Sequence, residues 1–415
     1  MVQAVIVGAG PAGVTTALLL ARAGLEVTLI ERETALDRVF RGEGLMPSGV
    51  DALLQMGLRS VLESVPSRLI ETWNVYLDGE AALVIPEPIA ETGDRAMRVI
   101  SPAAFLERVI AAAERYPTFH YRLGVRVRGL KRTGDGRVTG VQTETVDAAR
   151  QAGEVAADLV IGGDGRGSIV RTLAGLELEL QPEQSDVIWF KLPAPTTLQD
   201  RGAMIIMVAA RKPAAICYTS WDGCLQYGLI LPKGQARRVA AGNWLEAAVQ
   251  PAPVWLADHL RARRAEIAGP TRLNVLVGRS PVWTVPGLIL LGDAAHPMSP
   301  VRAQGINLAL RDAIVAANHL IPALRSGSPA VIDAATRAVQ AEREPEIVRA
   351  QLLQVREAQG EQEARAGSWK YSLAKRLAPV MGRWRWAQRA WLQRQHGLRF
   401  GVTEVRLHDS VGRRE

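Results

Sequence analysis

Val2-Gln-Ala-Val-Ile-Val7, Gly8-Ala9-Gly10-Pro11-Ala12-Gly13, Val14 to Ala23, Gly24, Val27-Thr-Leu-Ile30 and Glu31-Arg32: these opening residues decide the fold. They read as strand, glycine turn, alanine- and leucine-rich helix, strand and terminal acid, a complete βαβ dinucleotide unit. Gly8 allows the tight turn, Gly10 lets backbone approach a pyrophosphate, and Gly13 lets helix and strand pack closely. Pro11 and Ala12 open the helix, whose free N–H groups and positive dipole end suit phosphate oxygens. Glu31, with Arg32 beside it, ends the second strand where a carboxylate accepts from ribose hydroxyls. A fingerprint beginning at residue 8 leads us to expect no signal or transit segment ahead of it, and a cytoplasmic location.

The composition of the whole 415-residue chain bounds the answer without deciding it. Hydrophobic residues make up 48% and charged residues 22%, an ordinary globular balance for a chain able to build two intimate domains. Cys217 and Cys224 have no C-x-x-C spacing, which excludes that type of redox dithiol and gives no disulfide framework. No apolar run reaches the roughly 18 residues that span a bilayer. Twelve Lys/Arg and three acids from Ala364 onward give that tail +9, leaving −1 for the rest, so the net +8 belongs to the tail.

Further along, Val39-Phe-Arg41-Gly-Glu43-Gly44 is a polar, glycine-bearing loop. Helices are expected at Val50–Met56, from Pro102, at Val239–Ala248, Val254–Ile267, Ile306–Leu324 and Pro329–Ala358. Strands are expected at Trp73–Leu77, Ala81–Ile85, Val125–Leu130, Val138–Thr143 and Leu159–Ile161. Residues 185–235 are rich in short β runs, read as a mainly antiparallel sheet inserted into an α/β body. Leu288 to Leu291 then returns the chain to that body.

Two more motifs follow strands. One is Asp158-Leu-Val-Ile-Gly-Gly-Asp164-Gly165-Arg-Gly-Ser168-Ile-Val-Arg171. The other is Gly292-Asp293-Ala-Ala-His296-Pro297, then Pro300, Gln304-Gly305-Ile306-Asn307 and Asp312-Ala313. Asp293 is placed to accept from a polyol. Backbone N–H groups near Gly305 and Asn307 open a helix and would stabilise negative charge. On their own, Asp164 and Arg171 have a plain alternative reading as a turn acid and its ion-pair partner.

Together, in this order, the three motifs resemble the single-component FAD-dependent monooxygenases of the para-hydroxybenzoate hydroxylase fold. That resemblance implies an α/β, Rossmann-like FAD-binding domain at 1–180, with a small substrate-domain excursion near 70–100. It continues as a mainly antiparallel β substrate domain at 181–280 and a return to the FAD-binding domain at 281–362; the resemblance runs to about Leu324, and the basic Trp/Arg-rich helical tail at 363–415 is read from composition and spacing alone. The resemblance implies FAD as the resident cofactor, with Asp293 at the ribityl chain and Gly292, Pro300, Gly305, Ile306 and Asn307 along the flavin. Arg41, Asp164 and main-chain groups at Val127 complete its grip. Two departures stand out: Arg302-Ala303 occupies positions often held by Gly-Gln or Gly-Gly, and Pro102 replaces a polar residue that usually precedes its helix, with Arg98 the nearest substitute.

With only one dinucleotide fingerprint, NADH or NADPH is expected as a transient co-substrate. The resemblance then implies a C4a-hydroperoxyflavin that delivers oxygen from O2 to an electron-rich aromatic, quinone-like or polyketide-like molecule. The protein supplies position, dryness and a proton. Trp189, Met204, Tyr218, Tyr227 and Pro300 are the candidate pocket residues. His296 is a candidate base, with packing beneath the flavin the favoured reading. No metal site is expected. A geranylgeranyl-reductase-like activity without oxygen transfer is the main alternative; a halogenase would need a Trp-x-Trp-x-Ile-Pro stretch that is absent.

Residues Ser368 to Gln395 contain no acid. Trp369, Leu373, Leu377, Val380, Met381, Trp384, Trp391 and Leu392 recur at near-helical spacing, with a break expected at Pro379. The favoured reading docks this stripe on the body; the other lays it on an anionic membrane surface, peripheral to the inner face. No nucleic-acid fold accompanies the charge. Oligomeric state is left open.

Overall fold

Gln3–Val7 lies inside a six-stranded sheet, between Leu159–Gly162 and Glu26–Glu31, both parallel to it. Phe119–Leu123 adds a parallel strand on one side, Leu288–Leu290 one on the other, and Thr284–Val285 an antiparallel edge. The computed structural model describes residues 2–36, 43–182, 185–273, 275–382 and 384–409.

Both faces of this sheet are covered, which explains its near-continuous Val/Ile/Leu strands. Ala4 and Ile6 point into a core shared with the helices Pro11–Arg22, Pro102–Ala113 and Gln304–Ser326. Val5 and Val7 point the other way, against Val127, Val138 and Val141 of a three-stranded antiparallel meander. The 23-residue helix Gln304–Ser326, about 35 Å long, is buried along most of its length.

A second, seven-stranded sheet runs Ala268–Leu273, Ser185–Pro193, Cys224–Pro232, Ala214–Thr219, Ala203–Val208, Thr72–Leu77, Glu80–Pro86. Thr72–Leu77 pairs in parallel with Ala203–Val208; every other pairing is antiparallel. The back of this sheet packs on the helices Trp244–Val249 and Val254–Ala262 through Phe190, Cys217, Tyr227 and Leu256. Its front faces the dinucleotide half.

Several local readings differ from expectation. A single helix over 239–248 is two, Ala236–Ala241 and Trp244–Val249. Gly242 ends the first, and the Asn243 side chain accepts from the Glu246 N–H to start the second. Pro379 lies inside Trp369–Met381 without breaking it: the carbonyl left unbonded is that of exposed Lys375, open to water. The chain turns near Gly382 instead, before Arg385–Arg394. Phe119–Leu123 was not anticipated; its His120, Arg122 and Leu123 are not buried, so no apolar run announces it.

Candidate active site

The glycine turn is built as its sequence requires. Gly8 adopts φ +102° and donates to Ile30 O at 2.7 Å. A Cβ on Gly13 would stand 1.9 Å from Gly8 O, and one on Gly8 would strike the Gly163 backbone at 2.5 Å. Above Gly10 the nearest atom to such a Cβ is 3.8 Å away, so space remains on its ligand side. Pro11 starts the helix, with Ala12 and Gly13 in its first turn. Glu31 is buried and accepts from Ala9 N–H at 2.8 Å and Glu33 N–H at 3.0 Å. A cavity bounded by Ala9, Gly10, Glu31, Glu33, Leu36 and Leu106 continues from the turn. Arg32 turns outward and pairs with Glu33. This cradle fits a dinucleotide.

The two later motifs lock onto it. Asp164 receives Ser168 Oγ–H at 2.5 Å, Ile169 N–H at 2.7 Å and Val170 N–H at 3.1 Å. Burial pushes its carboxyl up against the pull of those donors. Its oxygens therefore shape their own loop, and no ion pair joins Asp164 to Arg171. Arg171 instead donates to the carbonyls of Ala294 at 2.7 Å and Arg166 at 3.0 Å, tying the two motifs together. A Cβ on Gly292 (φ +58°) would meet Ala12 Cβ at 3.2 Å, so that turn sits against the first helix. Asp293 faces Gly305, whose Cβ position lies 3.6 Å from its Oδ1. Burial raises its carboxyl, opposed by His296 and Arg166.

Beneath this turn is a buried charge network. His296, 1% exposed, lies 5.0 Å from the Trp283 ring and holds Asp312 through Nε2 at 2.7 Å. Asp312 also accepts from Gly292 N–H at 2.9 Å and Arg343 Nε at 2.7 Å; Arg343 and Arg311 converge on Glu346. Burial alone would raise Asp312, but the His296 and Arg343 charges prevail and hold it down to about 2. His296 therefore braces the turn from behind and has no exposed face to offer a substrate.

At the start of the long helix, Arg302 (φ 59°) and Ala303 (φ 50°) are both left-handed, a backbone region that favours glycine. Arg302 is held between Trp73 and Trp391, at 4.8 and 5.0 Å from their centroids, with Glu357 at 2.9 Å. Asn307 does not extend its side chain toward open space. It accepts from Met46 N–H at 2.9 Å and donates to Gly44 O and Ala303 O at 3.1 and 2.6 Å, pinning the two loops together. Gly49 leaves room for this side chain, since a Cβ would be 2.0 Å from Asn307 Oδ1 and would displace it. Ile306 is buried, Gly305 half-buried and Pro300 exposed. Arg98 folds back on the carbonyls of Asp94 and Ala96 and does not substitute for a polar residue at Pro102. Arg41 lies outside the described residues. Val127 is buried in the meander strand, paired with Thr143.

The front of the seven-stranded sheet gathers Trp73, Trp189, Met204 and Tyr218 against Met46, Met97 and Ala303. Tyr227 is a correction. Alternation along its strand sends it to the back, where it stacks on Phe190 at 4.7 Å and donates to Ala248 O at 2.7 Å. Its neighbour Gln226 faces forward, and with it appears a residue sequence reasoning missed. Glu43, 4% exposed, accepts from Ser220 Oγ at 2.7 Å and Gln226 Nε2 at 2.8 Å, while Gln226 takes Trp189 Nε1–H at 2.6 Å. Burial pushes the Glu43 carboxyl up, against those hydrogen bonds and the Lys191 charge. The available signal was an acid between two glycines, immediately before the apolar Leu45-Met46.

Residues 1–347 match the FAD binding domain family. The chain is 34% identical over 361 residues to 6-methylpretetramide 4-monooxygenase of Streptomyces rimosus, covering 84% of this chain and 82% of that protein. It is 26% identical to protoasukamycin 4-monooxygenase of Streptomyces nodosus subsp. asukaensis, over 84% and 86%. Among solved structures, p-nitrophenol 4-monooxygenase PnpA from Pseudomonas putida DLL-E4 superposes with a TM-score of 0.76 at 19% identity, over 97% of this chain and 100% of that one, a likeness of fold. Similar sequences carrying oxygenase activities favour oxygen transfer over the reductase alternative. The glycine cradle, the two acid motifs locked onto it and these relatives together place this chain among the FAD-dependent monooxygenases of the para-hydroxybenzoate hydroxylase fold.

Proposed function

We propose that this monooxygenase hydroxylates a multi-ring phenolic, polyketide-like molecule, drawing electrons from NADH or NADPH bound transiently. One observation carries the reading: a broad aromatic and thioether wall, Trp73, Trp189, Met204 and Tyr218, interrupted by a single buried polar island at Glu43, Gln226 and Ser220. The wall suits fused rings, and the island suits one hydroxyl. The sequence relationship to a pretetramide oxygenase points the same way.

Gly8 to Gly13 and Glu31 hold the cofactor's adenosine and pyrophosphate, Asp293 the ribityl chain, and the N–H groups around Gly305 to Asn307 the flavin edge. Bound FAD supplies the redox chemistry with O2. The Glu43 carboxyl, whose proton affinity burial raises, hydrogen-bonds a substrate oxygen and fixes which ring carbon faces the flavin. Packing by Met46, Met97 and Ala303 excludes water from that contact.

The test is NAD(P)H and O2 consumption with tetracyclic phenols, single-ring phenols and no substrate. Coupled oxidation with a product heavier by one oxygen is expected for the tetracyclic set. Equal stimulation by single-ring phenols would remove the multi-ring reading. Turnover under anaerobic conditions would remove oxygen transfer.

A further inference from the structure

The chain after residue 347, beyond the matched family domain, contains a surface that the reaction does not use. It leaves the body past Ala366 and is anchored again from Gln395. There Arg399 pairs with buried Glu87, Leu398 O accepts from Gln304, and Thr403 O accepts from Arg311. Between these anchors the apolar stripe points outward. Trp369, Leu373, Leu377, Val380 and Trp384 follow one another every three or four residues and are 72, 47, 45, 59 and 53% exposed. Trp386, 54% exposed, lies 5.9 Å from Trp384. The side touching the body is thin: Tyr371 donates to Val208 O, Gly382 abuts Leu83 and Gln388 donates to Val84 O. The first part of the stripe, Trp369 to Trp384, therefore faces away from the core on which it was expected to dock, while Trp391 and Leu392 at its end pack on the front cluster.

Its charge identifies the occupant. Seven Lys/Arg and no acid lie between residues 368 and 395. Two neighbouring acids are engaged, Glu363 with Lys370 and Asp78 with Lys375. Arg376, Arg385 and Arg389 are exposed and have no salt bridge among the described residues. We propose that this ridge docks on an anionic lipid bilayer, its indoles at headgroup depth and its arginines on lipid phosphates. Tryptophans prefer that depth, and basic residues flanking an apolar helical stripe are the composition of interfacial helices. A second copy of this chain fits poorly, because equivalent arginines would face one another. The helix Arg385–Arg394 also lays Trp391 on Trp73, 5.5 Å between centroids, so the docking helix forms the outer layer of the substrate wall. A lipophilic substrate would enter from the surface to which the enzyme is bound.

Truncating the tail would strip the Arg399 and Thr403 anchors, so the test uses the full FAD-loaded chain and a W369S/L373S/W384S variant altered only at exposed positions. Co-sedimentation is measured with phosphatidylcholine vesicles, with and without phosphatidylglycerol, at low and high salt. Expected is binding to the anionic vesicles alone, weakened by salt and lowered by at least about tenfold in the variant, with FAD content and vesicle-free turnover unchanged. No binding to anionic vesicles, equal binding by the variant, or a dimer in sedimentation that the variant dissolves would each overturn the proposal.

Discussion

Glu43 is a buried carboxyl held between Ser220 and Gln226 on the front of the seven-stranded sheet. Its folded carboxyl holds its proton more firmly than in the unfolded chain, so its stabilising contribution is present at low pH and lost as pH rises above the ordinary carboxylate range. Glu43→Gln, isosteric and neutral, should flatten that slope in thermal unfolding between pH 4 and 8 (about one carboxylate titration). If Glu43 also orients substrate, the same variant should lower kcat/KM by about tenfold or more while leaving FAD content intact. Unchanged kinetics would confine Glu43 to joining the loop and the sheet. Asp312 behaves oppositely. Its pKa is depressed to about 2, so its contribution, on the order of 2 kcal/mol, is present above the unfolded carboxylate pKa and lost as pH falls from about 4 toward 2. Asp312→Asn should remove that acid-side loss and loosen the Gly292 turn, read as weaker FAD retention. Tight FAD binding by the variant would show that the turn holds without its brace.

Among the elements, the left-handed pair Arg302-Ala303 sets a limit on substitution. An L-residue there costs about 1–2 kcal/mol, yet the Ala303 methyl also packs in the front cluster, worth about 0.8 kcal/mol. These nearly cancel, so Ala303→Gly should shift stability by less than about 1 kcal/mol. Ala303→Val, β-branched and facing Gly44 where only 2.9 Å separates a notional Cβ from Ala303 Cβ, should lose more than about 2 kcal/mol. Denaturant midpoints decide, and a tolerated valine would mean the loop relaxes. The glycine turn, the acid motifs and the doubled origin of the body were readable because each depends on local backbone chemistry. Gly8 and Gly13 are forced by contacts of 2.5 and 1.9 Å. What the front wall presents was only half readable. Alternation decides that Gln226 faces forward and Tyr227 backward, but nothing in a buried β run names the front face. Glu43 escaped notice because its partners, Ser220 and Gln226, lie more than 170 residues away. The tail stripe was visible as a pattern, while its direction depended on anchors at Glu87 and Arg311.

At the scale of the whole molecule, the dinucleotide half and the substrate sheet are stitched by residues that pass between them twice. Asn307 joins the long helix to the 44–46 loop, and Arg399 carries the end of the chain back to Glu87, just past the edge strand Glu80–Pro86 of the seven-stranded sheet. Arg399→Ala strands a fully buried carboxylate and should cost about 3–5 kcal/mol. It should also weaken the ridge's attachment, seen as faster proteolysis after residue 366. Protection equal to the parent chain would mean that Thr403 and Leu398 suffice.

The parallel pairing of Thr72–Leu77 with Ala203–Val208 has a consequence in time. Their first residues are 131 positions apart, so on a ribosome adding about 5–20 residues each second the earlier strand waits roughly ten seconds for its neighbour. Trp391, which covers Trp73, is later still. Through that interval the future substrate wall is a sticky, half-made hairpin, while Gln3–Val7 and Glu26–Glu31 already have each other. Pulsed hydrogen exchange on ribosome-bound chains stalled at increasing lengths should protect 3–31 before 72–86, and the reverse order would exclude this sequence of events. The cradle is made early and the reaction chamber late, so conditions that slow folding should accumulate chains able to bind adenine nucleotide before they can take up substrate.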